Sequence, residues 1–513
     1  MSTMRRQRPA AKGFLAIGLL AGTAILTWVG SAAAAHADPA AATMSPAAAY
    51  ADPAAATMSA ATANVASASA ASPAPGSPLW LNRYHGLNGF NQAYAIAISP
   101  DGGTVFVAGT RTATVGAGDQ AVVAINATTG VQVWASSYDA FGNDRPAQVA
   151  VSPGGDTVFV TGESEGATSH FDYLTIAYNA ATGAHLWASR YNGAANSLNT
   201  AKSLAVSPDS TTVYVTGYSG LRIGSSLDAD YVTIAYSAAT GARRWLSRYN
   251  GRANQNDQGR SVAVSPDGQT VYVTGRSYGR GSFYDVATVA YNAASGAQRW
   301  VSRYNGRANG NDFGTAVTVS PGGRSVYVTG GSTGRTSRSD FATIAYNAAT
   351  GAARWVGRYN GPGNFDDASV SLGVTPGGRT LVVTGYSWGV GTNRDYATIA
   401  YNAATGTALW TKRYLGTPGY SGDTPAALAL SPDGSTVYVT GASDSTTSTD
   451  YGTVAYAAAT GAQLWVSRFD GALHRLDDAF ALVAAPGGGA VYVTGFSETS
   501  LSSSDFVTIA YQG

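Results

Sequence analysis

Four stretches of this chain read G-x-S-x-G, at residues 162–166, 275–279, 330–334 and 385–389. In hydrolases that pattern presents a serine nucleophile on a strained strand-to-helix elbow. Here each copy runs into a Gly/Ser loop and then another strand pattern, with no helix. Four copies also fit poorly with a single nucleophile, so esterase chemistry is not expected and no catalytic residue is assigned. Glu163, Glu165 and His170 share one loop. Two carboxylates and an imidazole could hold a metal or carry acid–base work. No second cluster at ligand spacing accompanies them, so a solvated loop is the simpler expectation, and no metal or cofactor is assigned.

Two series of acids recur. Asp119, Asp172, Asp230, Asp285, Asp340, Asp395, Asp450 and Asp505 each open a strand pattern. Asn91, Asp144, Asn199, Asp257, Asp312, Asp367, Asp423 and Asp477 each stand eight residues before a recurrent position, most often serine. A residue present in every copy of a repeat most simply serves the repeat, whereas a single asymmetric site needs residues that occur once. Capping of loop N–H groups is therefore expected of both series, which should share one face.

The residues that occur once are the better binding candidates. Trp388 and Tyr386 lie in "GYSWGVGTNR", residues 385–394, and a neighbouring loop offers Arg276, Tyr278, Arg280 and Tyr284. Exposed aromatics among polar neighbours can stack on sugar rings or grip a peptide. Lys202 and Arg260 occupy matching positions in two strand patterns and are expected at a channel mouth. "YSGLRIGSSLDAD", residues 218–230, reads as the longest loop, and His474 and Arg475 fall in another.

What positions these residues is a repeat. One unit, "SVAVSPDGQTVYVTGRSYGRGSFYDVATVAYNAASGAQRWVSRYNG" (261–306), parses into four strands punctuated by Pro-Asp-Gly, Gly/Ser and Ala-Ser-Gly turns. Trp recurs at 80, 134, 187, 245, 300, 355, 410 and 465. Four strands per unit of this length predict propeller blades. Small residues mark the first strand, as in Ser261 and Ala263, and Trp300 marks the last, as radial wedges require. The chain stops at "DFVTIAYQG" (505–513), before any Trp strand, and its repeats start with "SPLWLNRYHG" (77–86), a Trp strand with no predecessor. Joined, these ends make one blade. The expectation is all-β: an eight-bladed propeller of four-stranded antiparallel blades over 77–513, its last blade closed by the Trp80 strand. A β-solenoid is the alternative, but would not need complementary ends.

The stretch "TIAYNAATGAARWVGRYNG" contains A-x-N-x-x-T-G-x-x-x-W, as Ala345, Asn347, Thr350, Gly351 and Trp355. This resembles the tryptophan-docking motif of the quinoprotein (pyrroloquinoline quinone) dehydrogenase propellers, with Asn in place of their Asp. The "SPDGxTVYVTG" half is similar to surface-layer-type propeller repeats. The resemblance implies that each indole packs on the glycine turn of the next blade, at Gly130, Gly183, Gly241, Gly296, Gly351, Gly406 and Gly461. It also implies, for the dehydrogenases, a quinone lying under adjacent cysteines beside a calcium or lanthanide ion and an Asp base. This chain has no cysteine.

Composition agrees with turns and strands: 63 Gly and 30 Tyr in 513 residues, with 12% charged. A net charge of +1 gives no reason to expect nucleic acid. Residues 1–37 combine "MRRQRPAAKG", an apolar run and "AHA" before Asp38, which reads as a signal peptide. Residues 38–76, rich in Ala, Pro, Ser and Thr, read as a disordered spacer. The expected protein is secreted, monomeric and non-catalytic, with no membrane span once processed, presenting rim loops to an extracellular glycan, peptide or cell-envelope protein. An exported oxidoreductase on a quinoprotein-like scaffold and a purely structural surface protein are the alternatives.

Overall fold

The computed structural model describes residues 72–86, 89–114, 117–140, 142–166, 170–193, 197–223, 226–417 and 422–513. The expected signal peptide, most of the expected spacer and part of the Glu163–His170 loop lie outside them. No helix among the described residues is long and apolar enough to cross a membrane.

Eight four-stranded antiparallel sheets form the blades of a propeller. The fourth blade serves as the type: strand a is Asp257–Val264, b is Thr270–Tyr278, c is Tyr284–Asn292 and d is Gln298–Tyr304. Strand a is innermost. Each a strand contains a register shift against b, between Gly259 and Ser261 in this blade, which leaves one bulged residue unpaired. The b and c strands are buried on both faces, which is why they read as near-continuous apolar runs.

The eighth blade is composite, in the order Pro78–Tyr84, Ser503–Gln512, Ala490–Ser500, Asp477–Ala484. Trp80 pairs with Ala510 and Pro78 with Tyr511, so the two ends of the chain share one sheet. Closure of this kind completes the last blade, so that every sheet has four strands and only short edges at the hub and rim remain.

The indoles lock neighbouring blades. Nε1 of Trp80, Trp134, Trp187, Trp245, Trp300, Trp355 and Trp410 donates to the carbonyl of Ala127, Ala180, Ala238, Ala293, Ala348, Ala403 and Ala458, at 2.8–3.1 Å. The glycine beneath each ring has positive φ, and a Cβ there would press into the indole, 2.7 Å from Trp80 Cδ2 at Gly130. Each expected glycine is thus a docking platform. The eighth platform is Gly76, under Trp465, and it falls in the stretch that reads as spacer. Gly76 N also donates to Gln512 O at 2.8 Å, so the ordered ring begins before residue 77.

Candidate binding face

The b–c and d–a loops lie on one face, as the two acid series require. Asn309 Nδ2 donates to Gly281 O at 2.5 Å and Asn364 Nδ2 to Thr336 O at 3.1 Å, tying each d–a loop to a b–c loop. The d–a loops turn through a left-handed residue, Asn254, Asn309, Asn364 or His474. Asn250, Asn305 and Asn360 hold the three asparagines, and Asp470 holds His474 Nδ1 at 2.6 Å. His474 is thus the turn residue of its loop.

Both acid series serve the blade. In the fourth blade, Arg303 Nη2 donates to Asp285 Oδ2 at 2.8 Å, and Nη1 to Ser277 Oγ at 2.5 Å and Tyr249 Oη at 3.1 Å. Asp257 is fully buried and accepts Gly251 N at 2.5 Å and Tyr278 N at 3.1 Å. The same arginine, three residues after the docking Trp, meets the c-strand Asp in Arg190–Asp172, Arg248–Asp230, Arg358–Asp340, Arg413–Asp395 and Arg468–Asp450. The first blade has Ser137 at that position, and Arg111 comes in from strand b to Asp119 at 3.4 Å instead. In the composite blade Asp505 takes Arg83 at 3.9 Å and His85 at 2.8 Å. The series that could have suggested cations is therefore matched to guanidinium groups supplied by the fold.

The G-x-S-x-G serines belong to this network. Ser164, Ser277, Ser332 and Ser387 are fully buried between the arginine and the a-strand carboxylate, on straight strands with no elbow. Burial pushes the carboxyls of Asp144, Asp257 and Asp477 up to about 6, against the opposing effect of their serine and backbone donors.

The residues that occur once separate into groups. Glu163 reaches Arg145 at 4.0 Å, and Glu165 accepts the backbone and side-chain N–H groups of Asn143, both at 3.2 Å, while His170 is exposed. This trio is not assembled into one site. The stretch 218–230 is a strand extension rather than a loop: Arg222 pairs with Leu227 in the third blade's hairpin. Beside it lies a cleft of about 310 Å³ of mixed character, lined by Ser219, Leu221, Asp228, Asp230, Arg248 and Asn250 among others.

On the fourth to sixth blades the aromatics form cation-capped stacks. Tyr278 meets Tyr284 edge-on at 5.3 Å, with the Arg276 guanidinium 4.5 Å from the Tyr284 ring. Arg280 is exposed, its Nε held by Arg252 O at 2.5 Å. Trp388 lies 5.2 Å from Phe365, which Arg338 covers at 4.5 Å. Tyr386 is buried beneath Arg394, at 4.4 Å, and so supports the face rather than presenting itself. Trp388 Nε1 is shielded and has no acceptor among the described residues. Around these stacks Phe283, Phe365 and Val390 are 57%, 41% and 78% exposed. Phe365, Arg338 and Phe283 were not singled out by sequence. Phe365 sits where the fourth and fifth blades' d–a loops have Gln255 and Gly310, a signal visible only once d–a loops are compared.

A quinone with its calcium does not fit the residues present. No cysteine exists to lie beneath it. The one cluster of carboxylates with oxygens within 4.8 Å among the described residues, Asp450, Asp470 and Asp477, lies on the loop rim. There Arg468 already pairs with Asp450, and His474 Nδ1 lies 2.6 Å from Asp470.

The family model described as outer membrane protein assembly factor BamB matches residues 62–230, 118–355 and 285–508. No curated protein matches the chain. Among solved structures, Sqt1 from Chaetomium thermophilum, bound to the N-terminus of the ribosomal protein L10, is similar with a TM-score of 0.55 at 11% identity, over 85% of this chain and 100% of that one. The quinohemoprotein alcohol dehydrogenase from Comamonas testosteroni has a TM-score of 0.50 at 13% identity, over 84% of this chain and 76% of its own. A second such dehydrogenase, from Pseudomonas putida HK5, has a TM-score of 0.52 at 14% identity, over 85% and 76%. At these identities the likeness is one of fold. The overlapping family matches span most of the chain, and the docked indoles repeat in every blade: this protein belongs to the BamB-like, PQQ-type β-propeller repeat family.

Proposed function

We propose that this chain is a secreted, non-catalytic binding propeller that holds a glycan, peptide or cell-envelope partner against the loop face of its fourth to sixth blades. One observation carries the reading. The acids and serines that could do chemistry are consumed, in most blades, by the same arginine network, whereas Phe283, Phe365 and Trp388 cluster with cations on the fourth to sixth blades, and the other exposed phenylalanine, Phe90, stands apart from them. Phe365, Trp388 and Phe283 offer ring surface, and the Arg338 and Arg394 guanidiniums offer donors at their edges. Rings flanked by donors suit a sugar or an extended peptide.

Screening residues 72–513 on glycan, cell-wall polymer and peptide arrays tests this. Binding should fall at least tenfold in Phe365→Ala with Trp388→Ala. A ligand held equally well by that variant would remove the sector from consideration.

A further inference from the structure

The bulge in each a strand leaves one residue unpaired at the inner edge of its blade, facing the axis of the ring. Most of these eight positions are uncharged, Tyr94, Thr315 and Phe480 among them. The two that are cationic, Lys202 and Arg260, fall in adjacent blades. Val262 N donates to Ser203 Oγ at 3.1 Å, which sets the two bulges side by side.

A third cation joins them. Arg276, in register with Gln258 on the neighbouring strand, donates from Nε to Gln258 Oε1 at 3.0 Å. Burial, and then the charge of Arg276, push the Arg260 guanidinium down to about 10, while Tyr218 and Tyr231 act the other way. Lys202 Nζ lies 6.0 Å from the ring of the same Tyr218. Lys202 and Arg260 thus share one tyrosine, and Arg276 lies close enough to Arg260 for its charge to be felt there.

Lys202 and Arg260 form no hydrogen bond or ion pair with any described residue. The d-strand arginine three residues after the docking Trp, by contrast, has a carboxylate in seven blades. The acid closest in sequence, Asp257, spends its oxygens on Gly251 N, Tyr278 N and Ser277. Lys202 and Arg260 are half-buried, and neighbouring like charges at such an edge repel one another unless something neutralises them.

We infer that Lys202, Arg260 and Arg276 form an oxyanion site at the mouth of the central channel, on the third and fourth blades, which takes a carboxylate or phosphate group. A guanidinium fork and an ammonium point charge suit such a group. This site shares Arg276 with the fourth blade's tyrosine stack but neither Phe365 nor Trp388, so Phe365→Ala with Trp388→Ala leaves it intact.

The test is the thermal midpoint of residues 72–513 with sodium phosphate, sodium succinate or sodium chloride at equal ionic strength, with affinity from calorimetry. Phosphate, succinate or both should raise the midpoint saturably above chloride, and which of them does so identifies the preferred group. Lys202→Met with Arg260→Gln should abolish that rise, raise the apparent Kd at least tenfold, and melt no lower than the parent without anion. Lys202→Met alone, at a channel-lining position, should weaken binding if the double variant folds poorly. No anion-specific rise in the parent overturns the inference. So does a rise that survives in the variants, or an anion-free double variant that melts several degrees lower.

Discussion

The indole of Trp465 rests on Gly76, whose added Cβ would come within 2.8 Å of Cδ2 at a φ of +79°. The segment before the first strand therefore supplies the turn that the following blade supplies everywhere else. Gly76→Ala should cost about 1–3 kcal/mol, the scale of a strained left-handed position combined with a displaced ring. Gly322→Ala, where nothing lies within 4 Å, should be near neutral. Urea midpoints of the two variants check this. Equal losses would show that Gly76 is no platform.

Docking and rim tryptophans should behave oppositely. Trp300 is buried, donates to Ala348 O at 3.0 Å and lies 5.8 Å from the Tyr272 ring. Trp300→Ala should lose about 3–5 kcal/mol. Trp388→Ala, which leaves the blade interfaces intact, should lose less than about 1 kcal/mol while affecting binding. Denaturant unfolding of both variants decides the matter.

The buried a-strand carboxyls set a pH dependence. Asp144, Asp257 and Asp477 are raised to about 6 in the fold, above the ordinary 3.8. The folded state then holds protons that the unfolded chain has released. That contribution is fully present below pH 3.8 and is lost as pH rises through about 6. Asn91 and Asn199 occupy the same place naturally, and Asn199 Oδ1 accepts Gly193 N at 3.1 Å and Ser219 Oγ at 2.6 Å. Asp257→Asn should therefore be close to neutral near pH 4.5 and stabilising near pH 8. Melting curves across that range should show the gap opening, and a constant offset would contradict the shift.

Ser277 is a structural donor and acceptor, not a nucleophile. Ser277→Ala strips Arg303 of a partner at 2.5 Å and leaves buried Asp257 short of a donor. A loss of about 1–3 kcal/mol is expected. A fluorophosphonate probe should leave the parent protein unlabelled. Labelling that disappears in Ser277→Ala would restore the hydrolase reading.

The blade pattern was legible in the sequence because it follows from a local period, and the composite last blade because each end carries strands that the other lacks, while the docking glycines followed from the resemblance to the dehydrogenase propellers. The Asp–Arg pairs were not. Arg303 and Asp285 lie eighteen residues apart and meet only when c and d strands pair. Gly76 was hidden by its surroundings, since a lone glycine in an Ala/Pro/Ser stretch looks like linker until the partner ring is in place. The stretch 218–230 misled for a related reason: Gly220 and Gly224 suggest a loop, yet Gly220 sits flat against Ala229 in a longer ladder. Phe365 was missed because aromatic candidates were sought in b–c loops, while the surface that buries one side of Trp388 comes from a d–a loop.

The polarity of the closing strand has a geometric outcome. Pro78 pairs with Tyr511, at the end of the sheet that carries the Ala-Ser-Gly type of turn, and Tyr84 pairs with Phe506 beside Asp505 at the opposite end. The chain preceding Gly76 therefore leaves from the underside of the ring, at its circumference. Within the described residues, then, the entering strand and the loops that bear the aromatic sector and the cationic mouth occupy opposite sides of the disc.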